Sequence, residues 1–325
     1  MIGIRLRALS DWVVLYVVTW AVCLREWQAI SKNYHFRRSL PQLVLPETYN
    51  GKVFWRKLFD HDPELTILND KVLVRDWFAE REPDVALVPM VWHGPDPLGL
   101  PDELLTEDYV IKGNNGSGRN YFWIEGHSTR EMVEERTVNW MTKRYGKKLG
   151  EWGYRDIPPQ ILVEKRLSFD EGLSPYNFNV HCSRGRVLCI GSHRQIADGS
   201  RQLGYFAANL DRIDLYMLNG PAPMDKDWQP SDVVKETLEV ARRVSADHDY
   251  FRLDFMAAED QYWFNEVTTY PGSGMNGFTN PQLMDQLTAA WDLRDSWFMR
   301  SPQSGWRGIY QRALFRRMEG RAAAT

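Results

Sequence analysis

The chain reads as an α+β fold in which antiparallel hairpins are interleaved with amphipathic helices, and three stretches carry that reading. Residues 251–268 run as a strand, a turn and a return strand. Phe251, Leu253 and Phe255 share one face and Arg252 and Asp254 the other, while Glu266 and Thr268 face together on the way back. Residues 178–182 and 186–190 form a second hairpin about Arg184-Gly185. Residues 231–246 set Val233, Val234, Leu238, Ala241 and Val244 on one side of a helix.

A length of 325 residues supports several subdomains around a well-buried core. The net charge of −3 lacks the basic excess of a general nucleic-acid binder, so no nucleic-acid partner is expected. Cys23, Cys182 and Cys189 form no C-x-x-C, which gives neither a disulfide framework nor a zinc site and fits a reducing cytoplasm. The seven histidines lack ligand spacing and read as structural. Most of the 14 tryptophans should pack the core, with some lining a cleft.

Residues 1–45 hold an apolar helix and a linker. The 13 uncharged residues 12–24 fall short of the roughly 18–20 that span a bilayer. They read as a packed helix, as an interfacial helix on the inner membrane face with Arg37 and Arg38 near anionic lipid, or as an export signal. Nucleotide binding should not need the first 40 residues. Residues 46–107 form an N-terminal subdomain, helical over 51–81, with a strand at 85–92 and a loop at 93–102. A strand at 109–112 runs into the glycine-rich 113–118. A helix follows at 128–148, opened by a Ser128/Glu131 capping box, with Met132, Val133, Val138 and Met141 inward. Residues 160–164 are a strand, 191–220 are irregular or partly stranded, and Asn280-Pro281 caps a helix at 282–291. Residues 294–325 read as a frayed, basic tail.

Folding 251–268 about Glu259 and Asp260 brings Glu266 within about a residue of lying opposite Asp254. Two carboxylates that close need a cation. With a neutral oxygen from Thr268 they make a hard site suited to Mg²⁺ on phosphates; the plain alternative is a solvated surface hairpin. The small residues at 271–274 leave backbone N–H groups open to an anion. Lys112 ahead of the glycine loop could neutralise phosphate, or sit exposed beside an ordinary turn. Its spacing matches neither the P-loop nor the dinucleotide fingerprint.

Taken in order, Lys112 with its glycine loop, Val163-Glu164-Lys165, and Arg252-x-Asp254 followed by Glu266-Val-Thr-Thr-Tyr-Pro-Gly resemble the ATP-grasp ligases. The likeness is nearest to the teichuronopeptide-synthesis branch, the TupA-like ATP-grasp family. It covers residues 49–291 and takes in NDKVLVRDW at 69–77 and YPGSGM at 270–275. The resemblance implies ATP held between two α+β lobes, residues 108–163 and 164–293, with Mg²⁺ on its phosphates. It gives Lys112 the role of phosphate lysine, Asn115, Gly116, Ser117 and Gly118 that of a phosphate lid, and Val163, Glu164, Lys165 and Leu167 that of the adenine hinge. Glu171 becomes the ribose contact, Asp254 and Glu266 the metal acids, Arg252 the transition-state cation, and Gly272 and Ser273 the substrate-carboxylate contacts.

Two positions depart from the family pattern: Thr268 stands where Asn is usual and Asn179 where Lys is usual, leaving Arg194 as a substitute phosphate cation. The activity implied is ATP-dependent amide formation from a carboxylate and an amine, free or polymer-linked, in cell-surface polysaccharide or peptide-polymer synthesis. A phosphotransferase and a non-catalytic nucleotide-binding module are the alternatives. The location implied is cytoplasmic, with peripheral contact to the inner membrane.

Overall fold

The computed structural model describes residues 2–167, 175–195, 200–215, 220–258 and 260–322. Its helices are α1 (Ile2–Arg25), α2 (Trp27–Arg37), α3 (Tyr49–Phe59), α4 (Glu64–Asn69), α5 (Leu73–Ala79), α6 (Arg130–Thr142), α7 (Val233–Val244), α8 (Pro281–Ala290), α9 (Trp297–Arg300) and α10 (Gly305–Ala322). Its strands are β1 (Met90–Gly94), β2 (Tyr109–Gly113), β3 (Asn120–Phe122), β4 (Ile161–Lys165), β5 (Tyr176–Ser183), β6 (Arg186–Gln195), β7 (Arg201–Phe206), β8 (Arg212–Ile213), β9 (Ala222–Pro223), β10 (Phe251–Ala258) and β11 (Gln261–Thr268).

Two sheets organise the chain, one ordered β1-β4-β2-β3 and the other β11-β10-β5-β6-β7-β8, with β9 beside β7. Hydrophobic alternation explains how each is covered. Ile111, Ile161 and Val163 point from the first sheet into a core with Val133 and Trp140 of α6. Phe178, Val180, Leu253 and Phe255 point from the second into the core that holds Val234, Leu238 and Ala241 of α7. Each such side chain, fully buried, contributes about 1.5–3 kcal/mol. The turn at Arg184 and Gly185 takes positive φ at both residues, the geometry that matches a two-residue hairpin to strand twist.

The 85–92 strand expected from sequence is divided. Residues 86–88 bond to β11, with Phe264 donating to the Ala86 carbonyl at 2.9 Å and Val88 donating back at 3.2 Å. Beyond Pro89, which has no N–H to give, β1 pairs with β4. The first sheet therefore includes a strand from before residue 108.

Three further expectations are corrected. The α6 cap is Thr129, whose hydroxyl accepts from Met132 N–H, while Ser128 accepts from Ile124. The inward stripe of α6 is Val133, Thr137 and Trp140, and Met132 and Val138 are exposed. The tail is not frayed up to residue 322. Helix α10 packs along α1, Arg316 pairs with Asp11, and the Tyr310 hydroxyl accepts from Trp55 Nε1 at 2.9 Å. That packing also makes the first 40 residues part of the fold: Leu15, Val22 and Ala29 are buried, and Arg37 donates to the Asn276 carbonyl at 2.8 Å. Among the described residues no single helix is long and apolar enough to cross a membrane, and α1 with α2 passes that test only as a pair bent by 91°.

Beneath the second sheet the Tyr250 hydroxyl lies 2.6 Å from both the Tyr49 hydroxyl and His181 Nδ1. Burial, helped by Arg252, pushes His181 down to about 3. An unfolded chain binds this proton near about 6.5, so the stability gained by keeping the ring neutral is full above that pH and is lost as pH falls towards 3. Urea unfolding of His181→Gln should therefore lose stability between pH 6 and pH 4 less steeply than the parent, by up to about 1.4 kcal/mol per pH unit. Equal slopes would show that His181 is not buried neutral.

Candidate active site

In the β10–β11 ladder Arg252 pairs with Thr268 and Asp254 with Glu266, and a bulge follows between Asp254 and Phe255. The two carboxylates thus stand opposite each other. Each already has a cation. Arg252 grips Asp254 through Nε at 2.7 Å and Nη2 at 2.6 Å and also donates to the Thr268 hydroxyl at 3.1 Å. Thr268 donates in turn to Asp254 Oδ2 at 3.0 Å. Glu266 lies 3.1 Å from Lys71 Nζ. Burial raises Asp254 above the ordinary carboxylate range despite Arg252 and a hydrogen bond from Asn179, its neighbour on β5. For Glu266 burial acts in the same direction, but Lys71, Lys112 and Arg252 outweigh it and hold the carboxyl below the ordinary range.

Lys71, Arg252, Glu266 and Thr268 line a cleft of about 270 Å³ together with Ser117, Tyr145, Glu151, Tyr154, Tyr270, Gly272 and Ser273, and Asp254 lies behind Arg252 and Thr268. The glycine loop closes over it from the first sheet. Lys71 donates to the Gly116 carbonyl at 2.9 Å, and Gly116, at φ +101°, lies so close to the Tyr145 ring that a Cβ would meet it at 2.3 Å. At the opposite wall Gly272 and Ser273 both have φ of 55°, and Lys57 Nζ donates to the Ser273 carbonyl at 2.8 Å and hydroxyl at 3.1 Å.

A family model described as TupA-like ATPgrasp matches residues 51–290. The chain belongs to the TupA-like ATP-grasp family. A comparison with curated proteins finds no match. Among solved structures the chain is similar to the ATP-grasp ligase PsnB complexed with a minimal precursor, at 14% identity over 72% of this chain and 63% of that one, with a TM-score of 0.38. It is similar also to D-alanine–D-alanine ligase from Bacillus anthracis complexed with ATP (17%, 64% and 58%, TM-score 0.36) and to that from Helicobacter pylori (16%, 76% and 70%, TM-score 0.39). It spans 63% and 58% of the length of the first two.

The ATP-grasp roles read from sequence fall as follows. Lys112 Nζ lies 2.5 Å from Glu164, whose other oxygen lies 3.2 Å from Arg75 Nη1, so the hinge carboxylate is held between two cations. Strand β4 is central, and Val163 is paired on both sides, with Trp92 and Ile111; its main chain is not free for an adenine edge. The N–H groups of Lys165 and Arg166 are taken by the Pro89 and Asp108 carbonyls, which leaves Leu167 as the first hinge residue with no such bond shown. Asn115 is buried and accepts from Arg119 at 2.5 Å, so of the lid residues Ser117 is the one whose side chain reaches the cleft. Glu171 lies outside the described residues.

Arg194 lies apart from the two acids. Register places it on the face with Tyr176, whose hydroxyl it meets at 2.8 Å, opposite to the face of Asp254. His193 and Arg201 occupy the face of Asp254 instead, and burial with Arg252 and Arg201 pushes His193 down to about 4. Lys71 was within reach of sequence reasoning, as the third residue of the quoted NDKVLVRDW, but carried no role there. Tyr145, Glu151 and Tyr154 gave no signal, because they sit in an irregular segment.

The contact between Gly116 and Tyr145 is testable by a mutant cycle. Gly116→Ala should cost about 1–3 kcal/mol in chemical denaturation, and Tyr145→Ala in the same chain should return the steric part while the positive-φ part remains. Strict additivity of the two changes would show that the loop does not rest on this ring.

Proposed function

We propose that the protein is an ATP-dependent carboxylate–amine ligase, forming an amide through an acyl phosphate and releasing ADP and phosphate. The observation that carries this reading is the facing pair Asp254 and Glu266, each matched to a basic residue, with Glu266, Arg252 and Lys71 lining a cleft that the glycine loop borders. Phosphoryl transfer asks a protein for positioning and charge neutralisation, not for a nucleophile. Arg252 and Lys71 supply positive charge, Ser117 and the loop main chain cover the phosphates, and Gly272 and Ser273 take the acceptor carboxylate. Closing the loop excludes water that would hydrolyse the acyl phosphate.

Two carboxylates and a hydroxyl are hard oxygen donors that fit Mg²⁺. Among the described residues no group of three His, Cys, Asp or Glu gathers, so the protein alone would not complete the coordination of such an ion. Asp254 and Glu266 would hold it, with Thr268 the weakest protein donor, and when bound it neutralises charge on the phosphates. The acid and amine belong to cell-surface polysaccharide or peptide-polymer synthesis, as the family resemblance implies. The location proposed is cytoplasmic, and peripheral contact with the inner membrane is supported by a stripe of exposed apolar residues along α1 and into α2: Leu9, Val13, Val17, Trp20, Leu24 and Trp27.

Hydroxylamine added to enzyme, Mg·ATP and a panel of sugar acids and amino acids should yield a hydroxamate and ADP. AMP and pyrophosphate in stoichiometric amounts, or phosphorylation of a hydroxyl with no hydroxamate, would overturn the reading. In a Mg²⁺ titration, Thr268→Asn should need less metal than the parent, and Asp254→Asn and Glu266→Gln should lose most activity. If Thr268→Ala and Thr268→Asn both follow the parent curve, Thr268 is not a ligand. Val13→Glu with Val17→Glu should abolish pelleting with anionic liposomes while the thermal midpoint stays within a few degrees; retained pelleting would discount the α1 face.

A further inference from the structure

At the wall of the cleft away from Arg252, Glu151 is only 6% exposed, and among the described residues no group donates to its Oε2. A buried carboxylate oxygen without a donor is costly, on the order of 1–3 kcal/mol or more. Lys57 is the nearest source of positive charge, yet its shown hydrogen bonds go to the carbonyl and hydroxyl of Ser273. Burial pushes Lys57 down to about 7 and pushes Glu151 up, and the nearby charge of Lys57 with a hydrogen bond from the Ser273 side chain offsets only part of the burial of Glu151, leaving Oε2 without a donor.

Around Glu151 stand aromatic rings. Tyr145 and Tyr154 meet edge to face at 4.9 Å, and Tyr154 and Tyr270 lie 6.4 Å apart, all three lining the cleft. Faces of Tyr rings attract a cation, and a carboxylate among them fits an ammonium better than a hydroxyl or a second anion. Elsewhere in the same lining Lys71 and Arg252 are already matched, to Glu266 and Asp254, whereas Glu151 has no ion pair shown among the described residues.

We propose that Glu151, with Tyr145, Tyr154 and Tyr270, is the binding site for the amine substrate, which enters as a primary ammonium on a molecule of amino-acid or amino-sugar size. The nitrogen donates to Oε2 and supplies the missing hydrogen bond. The assignment of that amine as the group that attacks the acyl phosphate rests on the ligase reading; the ammonium site itself does not.

Isothermal titration of the full-length protein with the common amino acids and glucosamine, each beside its nitrogen-free counterpart (propionate for alanine, glucose for glucosamine), tests the site without turnover. At least one amine should bind more tightly than its counterpart. Glu151→Gln should weaken that binding tenfold or more, and Glu151→Asp, which keeps the charge, should weaken it less. Both variants should keep the parent's affinity for Mg·ATP, which also reports that they are folded. An amine that binds Glu151→Gln as well as the parent, or a panel in which no amine exceeds its counterpart, would overturn the proposal. Amine binding through Glu151 in a protein with no affinity for Mg·ATP would keep this site and remove the ligase reading.

Discussion

Between Phe255 and Asp254 the β10–β11 ladder takes in one extra residue, and the charge arrangement in the cleft follows from it. From Ala258 opposite Gln261 to Phe255 opposite Phe264 the hairpin is regular. Continued without the bulge, it would set Asp254 against Asn265 and Glu266 against Leu253, turning the second acid into the hydrophobic core. The bulge returns Glu266 to the face of Asp254 and leaves Phe264 and Val267, three apart, both buried. Two facing carboxylates then require compensation. Arg252 provides it within the same strand, and Lys71 provides it from the turn between α4 and α5, bringing with it the Gly116 carbonyl and so the glycine loop.

Helix α3 holds the other wall by similar means. All its residues but Asn50 are buried, among them three cations that satisfy themselves on main-chain carbonyls. Lys52 reaches the Thr288 and Trp291 carbonyls, Arg56 the Tyr250 carbonyl and both oxygens of Asp249, and Lys57 the Ser273 carbonyl. A buried charge is tolerated only when so engaged. The helix thereby fixes the ends of β10, α8 and the 271–274 turn against one another.

Much of this was legible in the chain. The alternation at 251–268 gave the hairpin and put Arg252 and Asp254 on one face, and the order of motifs pointed to the family that the match over residues 51–290 shows. Register was not legible, since a bulge has no sequence mark here, and the one-residue ambiguity it left is the size of slip that separates the two faces of a strand. Arg194 shows the same weakness: its neighbour His193 occupies the face sought. The tail was misread because α10 carries charges around most of its circumference, and its apolar contacts, Tyr310, Ala313 and Leu314, form too narrow a stripe to mark it. Glu151 was invisible because its environment comes from α3 and the 271–274 turn, both remote in sequence.

Residues 86–94 join one ladder to the other with a single residue, Pro89, between Val88, which bonds to β11, and Met90, which pairs with β4. Two Cα–Cα steps span about 7 Å at most, so the chain acts as a ruler that holds the facing edges of the two sheets at a fixed spacing. Sliding one sheet past the other would break both ladders at once, and Pro89 itself is tied to β4, since its carbonyl accepts from Lys165 at 2.8 Å. The two sheets can therefore shift least against each other beside Pro89, and freedom between them grows only with distance from that link.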